Sequence, residues 1–199
     1  MCMSKKRGIV KRVSFTKDYL EKFFIIKNRR GQIWVETVIY TLIAFTLIGL
    51  VLAFAKPRID EIQDQATIEQ SVSILEDIDF VIKTLGGPGN QRVVDLGIDK
   101  GTLTIDGEND VLTFLIESRY EYSEPGEDVI IGVVTARTES LGSLNEITLT
   151  VDYDGRYDIT NNGLDNIETL SGAPTPYRVS VSNEGQSSGE TIIDMEVIS

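Results

Sequence analysis

The most apolar part of the chain lies near its N-terminus, where residues 37–55 form 19 consecutive positions without a charge. A helix of that length rises about 28 Å, which is close to the ~30 Å hydrocarbon core of a bilayer. The apolar region of a secretory signal peptide is usually shorter, at ~7–15 residues. The pattern therefore predicts a transmembrane helix. The alternative is a signal peptide that is cleaved after "AFA" (residues 53–55) and releases a soluble domain.

An amphipathic helical pattern continues from Pro57 to about residue 86, and its apolar face changes direction halfway along. At ~100° per residue, Ile59, Ile62 and Ala66 fall on one side of this helix. A second apolar set, turned from the first by roughly 120–150°, consists of Val72, Leu75, Ile78, Ile82 and Leu85. We interpret the first face as a contact with neighbouring subunits and the second as a contact with the chain's own C-terminal domain. The alternative is a surface helix of one globular domain.

Pro57 and the sequence "GGPGN" (residues 86–90) mark two expected irregularities of this helix. Pro57 cannot donate a backbone hydrogen bond, so we expect a kink there. Gly86 favours a left-handed helix cap, and Pro88 prevents the helix from continuing. The helix is therefore predicted to end at about Leu85.

From Arg92 onward the pattern changes to short runs rich in β-branched and aromatic residues, some of them alternating with polar positions. Because no helical pattern lies between these runs, they favour an antiparallel sandwich. The predicted fold class is α+β, with a long N-terminal helix followed by an antiparallel β-sandwich-like head. The eight predicted strands cover residues 92–98, 102–105, 110–118, 128–137, 146–153, 156–160, 177–183 and 191–198.

The segments between the strands predict turns and loops rather than a chemical site. Asp154-Gly155 is typical of a two-residue hairpin, "EGQSSG" (residues 184–189) predicts a flexible loop, and residues 161–176 predict a surface loop. Asp152, Asp154 and Asp158 have an acidic spacing that suggests calcium, but the run lacks the full loop pattern and the closing glutamate. We therefore expect a hairpin there, with these three aspartates as weak metal candidates, and we expect no cofactor.

The charge is divided unevenly along the chain, which has 19 basic and 31 acidic residues in total. Residues 1–31 carry ten basic and two acidic residues, whereas the remainder has a net charge of −20. A basic tip before an apolar run predicts an N-terminus on the cytoplasmic side of a membrane. The acidic remainder would repel phosphates, so we expect no binding to nucleic acid.

The residue types also exclude several kinds of active site. The chain has no histidine, and its single cysteine is Cys2. Disulfides within the head, zinc sites built from Cys and His, and nucleophilic sites that need histidine are therefore excluded. A hydrolase that uses carboxylates would need two acids converging in one pocket. We expect the protein not to be an enzyme.

The sequence "RRGQIWVE" stands directly before the apolar run and contains one acid, Glu36. Arg29, Arg30 and Gly31 precede Gln32, and Glu36 is the fifth residue counted from Gln32. This combination resembles the class III signal peptide of type IV pilins, and glutamine as the first mature residue resembles the archaeal branch of that family. The resemblance covers about residues 28–56.

The resemblance implies that a prepilin peptidase cleaves between Gly31 and Gln32, with Lys27, Arg29 and Arg30 setting the topology and the approach of the peptidase. It also implies self-assembly or assembly with related pilins through the apolar helix, and indirect dependence on an assembly platform and its ATPase. The precursor would lie in the cell membrane and the mature subunit in an extracellular filament. The corresponding divisions are a basic leader (1–31), a transmembrane and assembly helix (32–56), an amphipathic helix (57–86) and a β-rich extracellular head (87–199).

Glu36 has a physical explanation within this resemblance. A carboxylate deep in a bilayer costs on the order of 2.5–3.5 kcal/mol, so it usually has a partner. Cleavage after Gly31 would create an ammonium group on Gln32, and Glu36 of the same or a neighbouring subunit could neutralise it. A simpler interpretation is that Glu36 lies in the first turn of the helix, where acids are favoured. The functional alternatives are a minor pilin, or a membrane-anchored β-sandwich binding protein that does not form the main filament.

Overall fold

The computed structural model describes the backbone of residues 29–198 and the side chains of residues 33–198. The chain divides into two compact units, Met1–Ala53 and Phe54–Ser199. Helix α1, Arg29–Thr84, contributes residues to both units. Most of the expected leader, residues 1–28, lies outside the described residues.

In the first unit, α1 is apolar and uncovered by protein. Every described side chain from Ile33 to Ala53 is exposed. The Ile33–Thr84 portion of α1 contains an 18-residue stretch that is apolar enough to cross a membrane, and none of that stretch is buried. The length and composition of α1 thus suit a transmembrane helix, as the hydrophobic pattern predicts.

In the second unit, α1 continues through Pro57 and buries one face in the head. The predicted second face is buried as expected, and Ile68 joins it with no exposed surface. Ile59 and Ile62 of the predicted first face remain 51% and 66% exposed. The helix ends at Thr84, and Gly86 follows with a φ of 86°, a left-handed conformation that glycine adopts without steric cost. The apolar face predicted for the first part of this helix is therefore exposed, and the apolar face predicted for its second part is buried.

The head contains ten strands in two sheets, which confirms the α+β class and the β-rich head. A four-stranded sheet has the order β1-β9-β10-β7, and a six-stranded sheet has the order β4-β5-β6-β3-β2-β8. The strands are β1 Gln91–Leu96, β2 Thr102–Asp106, β3 Val111–Ser118, β4 Asp128–Ile131, β5 Val134–Ser140, β6 Asn145–Asp152, β7 Tyr157–Thr160, β8 Ile167–Ser171, β9 Tyr177–Ser187 and β10 Glu190–Val197.

The core follows from alternation along the strands. In β3 the side chains of Leu112, Phe114 and Ile116 are fully buried, at every second position. The strand register places Phe114 opposite Leu103 on one side and Leu149 on the other. The inward residues of both sheets and the buried face of α1 form one hydrophobic cluster. Burial of this cluster is the main source of stability for a head that has no disulfide.

Strand β10 lies inside the four-stranded sheet, between β9 and β7. It pairs antiparallel with β9 and parallel with β7. This parallel pair departs from the purely antiparallel arrangement expected. The prediction of a hairpin at Asp154-Gly155 is also wrong, because β6 lies in the six-stranded sheet and β7 lies in the four-stranded sheet. The tight turn exists, with Gly155 at a φ of 71°, but it carries the chain from one sheet to the other.

Three further segments differ from the expected boundaries. The single strand expected over residues 128–137 is two strands, because the chain reverses at Gly132, whose φ is 59°. The surface loop expected over residues 161–176 contains β8, which pairs with β2 at a sheet edge. The flexible loop expected over residues 184–189 is mostly strand, and a two-residue turn at Ser188-Gly189 joins β9 to β10. In β8 only one of five residues is buried, which explains why no hydrophobic alternation marked it.

Candidate functional site

The residues of the expected cleavage site lie at the start of the described chain. Lys27 is outside the described residues. Arg29, Arg30, Gly31 and Gln32 belong to α1, and only their backbone is described. The cleavage site therefore stays a prediction from the motif. The first site residue with a described side chain is Glu36.

Glu36 has one hydrogen-bonding partner on its own helix. The Tyr40 hydroxyl donates to Glu36 Oε1 over 3.1 Å, one turn further along α1. Both side chains are exposed, and together with Val35 and Ile39 they line an open groove of about 360 Å³. Glu36 thus accepts a hydrogen bond from a hydroxyl group and has apolar side chains as its other neighbours in the groove. This arrangement suits a cationic or hydrogen-bond-donating partner that approaches from outside the chain.

A second polar site lies within the head unit, where α1 meets the loops beside β2 and β3. Lys100 Nζ lies 2.7 Å from Asp64 Oδ1, and the Arg119 amide donates to Asp64 Oδ2 over 2.7 Å. Arg119 Nη1 also pairs with Asp60 Oδ2 at 2.8 Å. These residues border a groove of about 410 Å³. We name the four residues Asp60, Asp64, Lys100 and Arg119 the helix–head clamp.

Asp64 is the buried member of the clamp, with 12% of its side chain exposed. Burial opposes its ionisation, but the Arg119 amide and the Lys100 ammonium outweigh burial and hold the pKa of Asp64 below its ordinary value. Each acid of the clamp has a cationic partner, Lys100 for Asp64 and Arg119 for Asp60. The arrangement fastens α1 to the head. Sequence reasoning missed it, because Lys100 and Arg119 are 36 and 55 residues away from Asp64.

We expect Asp64→Asn to lower the free energy of unfolding of the head by roughly 1–3 kcal/mol at neutral pH, because the hydrogen bonds to a charged acceptor are weakened. The pKa of Asp64 is depressed in the folded state. Its contribution is therefore present above the unfolded value of ~3.9 and is lost as the pH falls toward the folded value. The difference between wild type and variant should shrink below about pH 4. Urea unfolding of the full-length protein in detergent, at neutral pH and at about pH 3, measures this.

Asp128→Asn is the matched control, because Asp128 also pairs with an arginine, Arg137, but at an exposed site on β4. It should change the free energy of unfolding by less than ~0.5 kcal/mol. Equal effects of the two substitutions would contradict a special role for Asp64.

Asp79 of α1 and Tyr153 of the head are both buried, and they lie near each other. Lys83 Nζ lies 2.7 Å from Asp79 Oδ2. Asp79 Oδ1 and the Tyr153 hydroxyl are buried, and neither meets hydrogen-bond geometry with a described residue. Burial and, secondarily, the nearby charge of Asp79 raise the pKa of Tyr153. Tyr153 is fully buried beside the turn that carries the chain from one sheet to the other.

The weak metal candidates are not brought together as ligands. The Asp154 amide donates to Asp152 Oδ1 over 2.9 Å, so Asp152 stabilises the turn. Burial raises the pKa of Asp158, and the charges of Asp110 and Asp165 raise it further, which places Asp158 beside different acids. Among the described residues, no group of three or more Asp, Glu, Cys or His side chains is arranged to hold a metal ion.

No protein-family model matches the chain, and searches of curated proteins and of solved structures found no match either.

Proposed function

We propose that this protein is a structural subunit of an archaeal type IV pilus-like surface filament. A prepilin peptidase would cleave the precursor after Gly31, and the mature subunit would assemble through its apolar N-terminal helix. The observation that carries the proposal is the division of α1. Its residues 33–53 are exposed throughout, while one face of its C-terminal part is buried in the chain's own head.

An apolar helix surface of this size requires a covering. Residues 33–53 include Trp34 and Phe45, whose side chains are 71% and 73% exposed. Burying such side chains is worth about 1.5–3 kcal/mol each. In the precursor the covering is the bilayer, and in the filament it is the helices of other subunits. In the second unit, Ile59 and Ile62 are exposed as well.

The charge distribution supports the direction of insertion. The basic residues of the leader, Lys27, Arg29 and Arg30 among them, would keep the N-terminus in the cytoplasm. The acidic head would be exported and would stay soluble at the cell surface. The partners of this function are the membrane, the prepilin peptidase and other pilin subunits, with an assembly platform and its ATPase acting indirectly.

Cleavage after Gly31 would create the ammonium group that Glu36 needs as a partner, so assembly would depend on processing. Before the cut there is no amine at position 32, and Glu36 has no ammonium to neutralise. After the cut, Glu36 and the ammonium of Gln32 on the same or a neighbouring subunit form a pair. Each group is costly alone in a low-dielectric helix bundle, and the pair is tolerated.

The N-terminus and intact mass of the protein recovered from cells test this proposal. We expect a start at Gln32, with allowance for modification of that residue. A start at Lys56 would mean a signal peptide and a released domain, and would contradict the proposal. An uncut chain would leave only a membrane-anchored protein.

Gly31→Val provides a control for the position of the cut. A peptidase that requires glycine before the scissile bond should leave this variant uncut. A signal peptidase acting at Ala55 should process it as it does the wild type. Processing of the variant at Gln32 would contradict recognition through Gly31.

A further inference from the structure

Tyr40 is the described side chain that contacts Glu36, and the leader motif does not account for it. Its hydroxyl donates to Glu36 Oε1 over 3.1 Å. Residues four apart lie on the same face of a helix, so this contact is available in a single subunit, without a neighbour.

The other hydroxyl groups of the apolar segment are satisfied by the backbone of their own helix. Thr37 donates to the Ile33 carbonyl over 2.9 Å, Thr41 to the Val38 carbonyl over 2.9 Å, and Thr46 to the Leu42 carbonyl over 2.7 Å. Such bonds remove the cost of placing a threonine among lipids or helices. Tyr40 differs because its hydroxyl is directed to an acid instead of a carbonyl.

The hydrogen bond uses one of the two carboxylate oxygens. An ionised carboxylate can accept bonds at both oxygens, and within the described residues Oε2 receives no donor. The groove bordered by Val35 and Ile39 leaves the carboxylate open on its outer side. A second donor can therefore reach Glu36 while the Tyr40 bond stays in place.

We propose that Tyr40 is a positioning residue for Glu36. Its hydroxyl holds Oε1, restricts the rotamers of the glutamate, and leaves Oε2 directed to the ammonium group that a processed subunit presents. In the unassembled subunit the same bond partly replaces the water that the carboxylate loses in the membrane. This inference depends on the proposed function, since it assigns Tyr40 a role in the assembly of the filament.

Competition within cells tests the role of Tyr40. Wild-type subunit is co-expressed with a tagged full-length variant, and the tagged fraction in sheared filaments is divided by the tagged, processed fraction in membranes. We expect Tyr40→Phe to lower this ratio about tenfold, because it removes a hydrogen bond to a charged group. Thr41→Val removes a hydroxyl at the adjacent position that bonds only to its own backbone, and it should leave the ratio unchanged.

Rescue by a different donor separates positioning from packing. Glutamine at position 40 can donate to Glu36 across one helical turn, so Tyr40→Gln should recover part of the ratio that Tyr40→Phe loses. An unchanged ratio for Tyr40→Phe, or equal losses for Tyr40→Phe and Thr41→Val, would overturn the inference. Tyr40→Gln falling below Tyr40→Phe would overturn it too.

Glu36→Gln, included in the same experiment, distinguishes failure of this inference from failure of the proposed function. If Glu36→Gln is excluded from filaments and Tyr40→Phe is incorporated normally, only the role of Tyr40 is wrong. If Glu36→Gln is incorporated like the wild type, the electrostatic account of assembly is wrong as well.

Discussion

Replacing Glu36 by glutamine is expected to exclude the subunit from filaments while leaving cleavage after Gly31 intact. Glutamine keeps the size of the side chain and an acceptor for Tyr40, but it removes the negative charge that would neutralise the ammonium of Gln32. Removing one partner of a buried ion pair typically costs about 3–5 kcal/mol, because the other charge is left uncompensated. That cost corresponds to on the order of a thousandfold in the assembly equilibrium.

The measurement compares the amount of subunit in sheared filaments with the N-terminus of the subunit left in the membrane. Glu61→Gln is the matched control, since Glu61 is on the same helix but pairs with Arg58 at an exposed site. It should assemble as the wild type does. A Glu36→Gln chain that starts at Met1 or Met3 would place the role of Glu36 in processing instead.

Ile78→Ala is expected to lower the free energy of unfolding of the head by about 2–5 kcal/mol, because it leaves a cavity where a fully buried side chain had been. Ile62→Ala makes the same chemical change on the same helix at a position that is 66% exposed. It should change the free energy of unfolding by less than ~0.5 kcal/mol. Urea unfolding of the full-length protein in detergent measures both variants.

In filament assembly we expect the opposite order, with a larger effect of Ile62→Ala than of Ile78→Ala. Ile62 is assigned to the subunit contact, so Ile62→Ala should reduce the share of subunit in filaments even though the head is stable. A variant with unchanged stability and unchanged assembly would remove Ile62 from the contact surface. Equal destabilisation by both substitutions would contradict the division of the helix into two faces.

The helix and its two faces were predictable because helical periodicity is local. Ile62 and Ile78 can be assigned to different sides of α1 by counting residues. The same holds for β3, where alternation places Phe114 inside. The boundary near Gly132 was not predictable, since the flanking residues are equally apolar and only the positive φ of the glycine separates β4 from β5. Which sheet receives β7 depends on pairing with β10, more than 30 residues away.

The contacts of the candidate sites were also predictable only where the partners are close in sequence. The spacing of Gly31 and Glu36 is readable in sequence, and the i, i+4 relation of Glu36 to Tyr40 could have been read from it too. The contacts of Asp64 with Lys100 and Arg119 arise only after α1 packs on the head, since the partners come from separate loops. No local pattern signals them, because an acid on a helix surface is ordinary.

The internal position of β10 has a consequence for the order of folding events if the head is exported as proposed. The four-stranded sheet could not close until residues 190–197 had been exported, because β10 joins β9 to β7. Strand β1 must also wait for β9, whose paired residues follow it by 81 to 91 positions. Pairing over such distances slows folding. The newly exported head of the proposed subunit would therefore spend a period with an incomplete four-stranded sheet and part of its hydrophobic core uncovered, and this interval is when it would be most vulnerable to proteases and to wrong association.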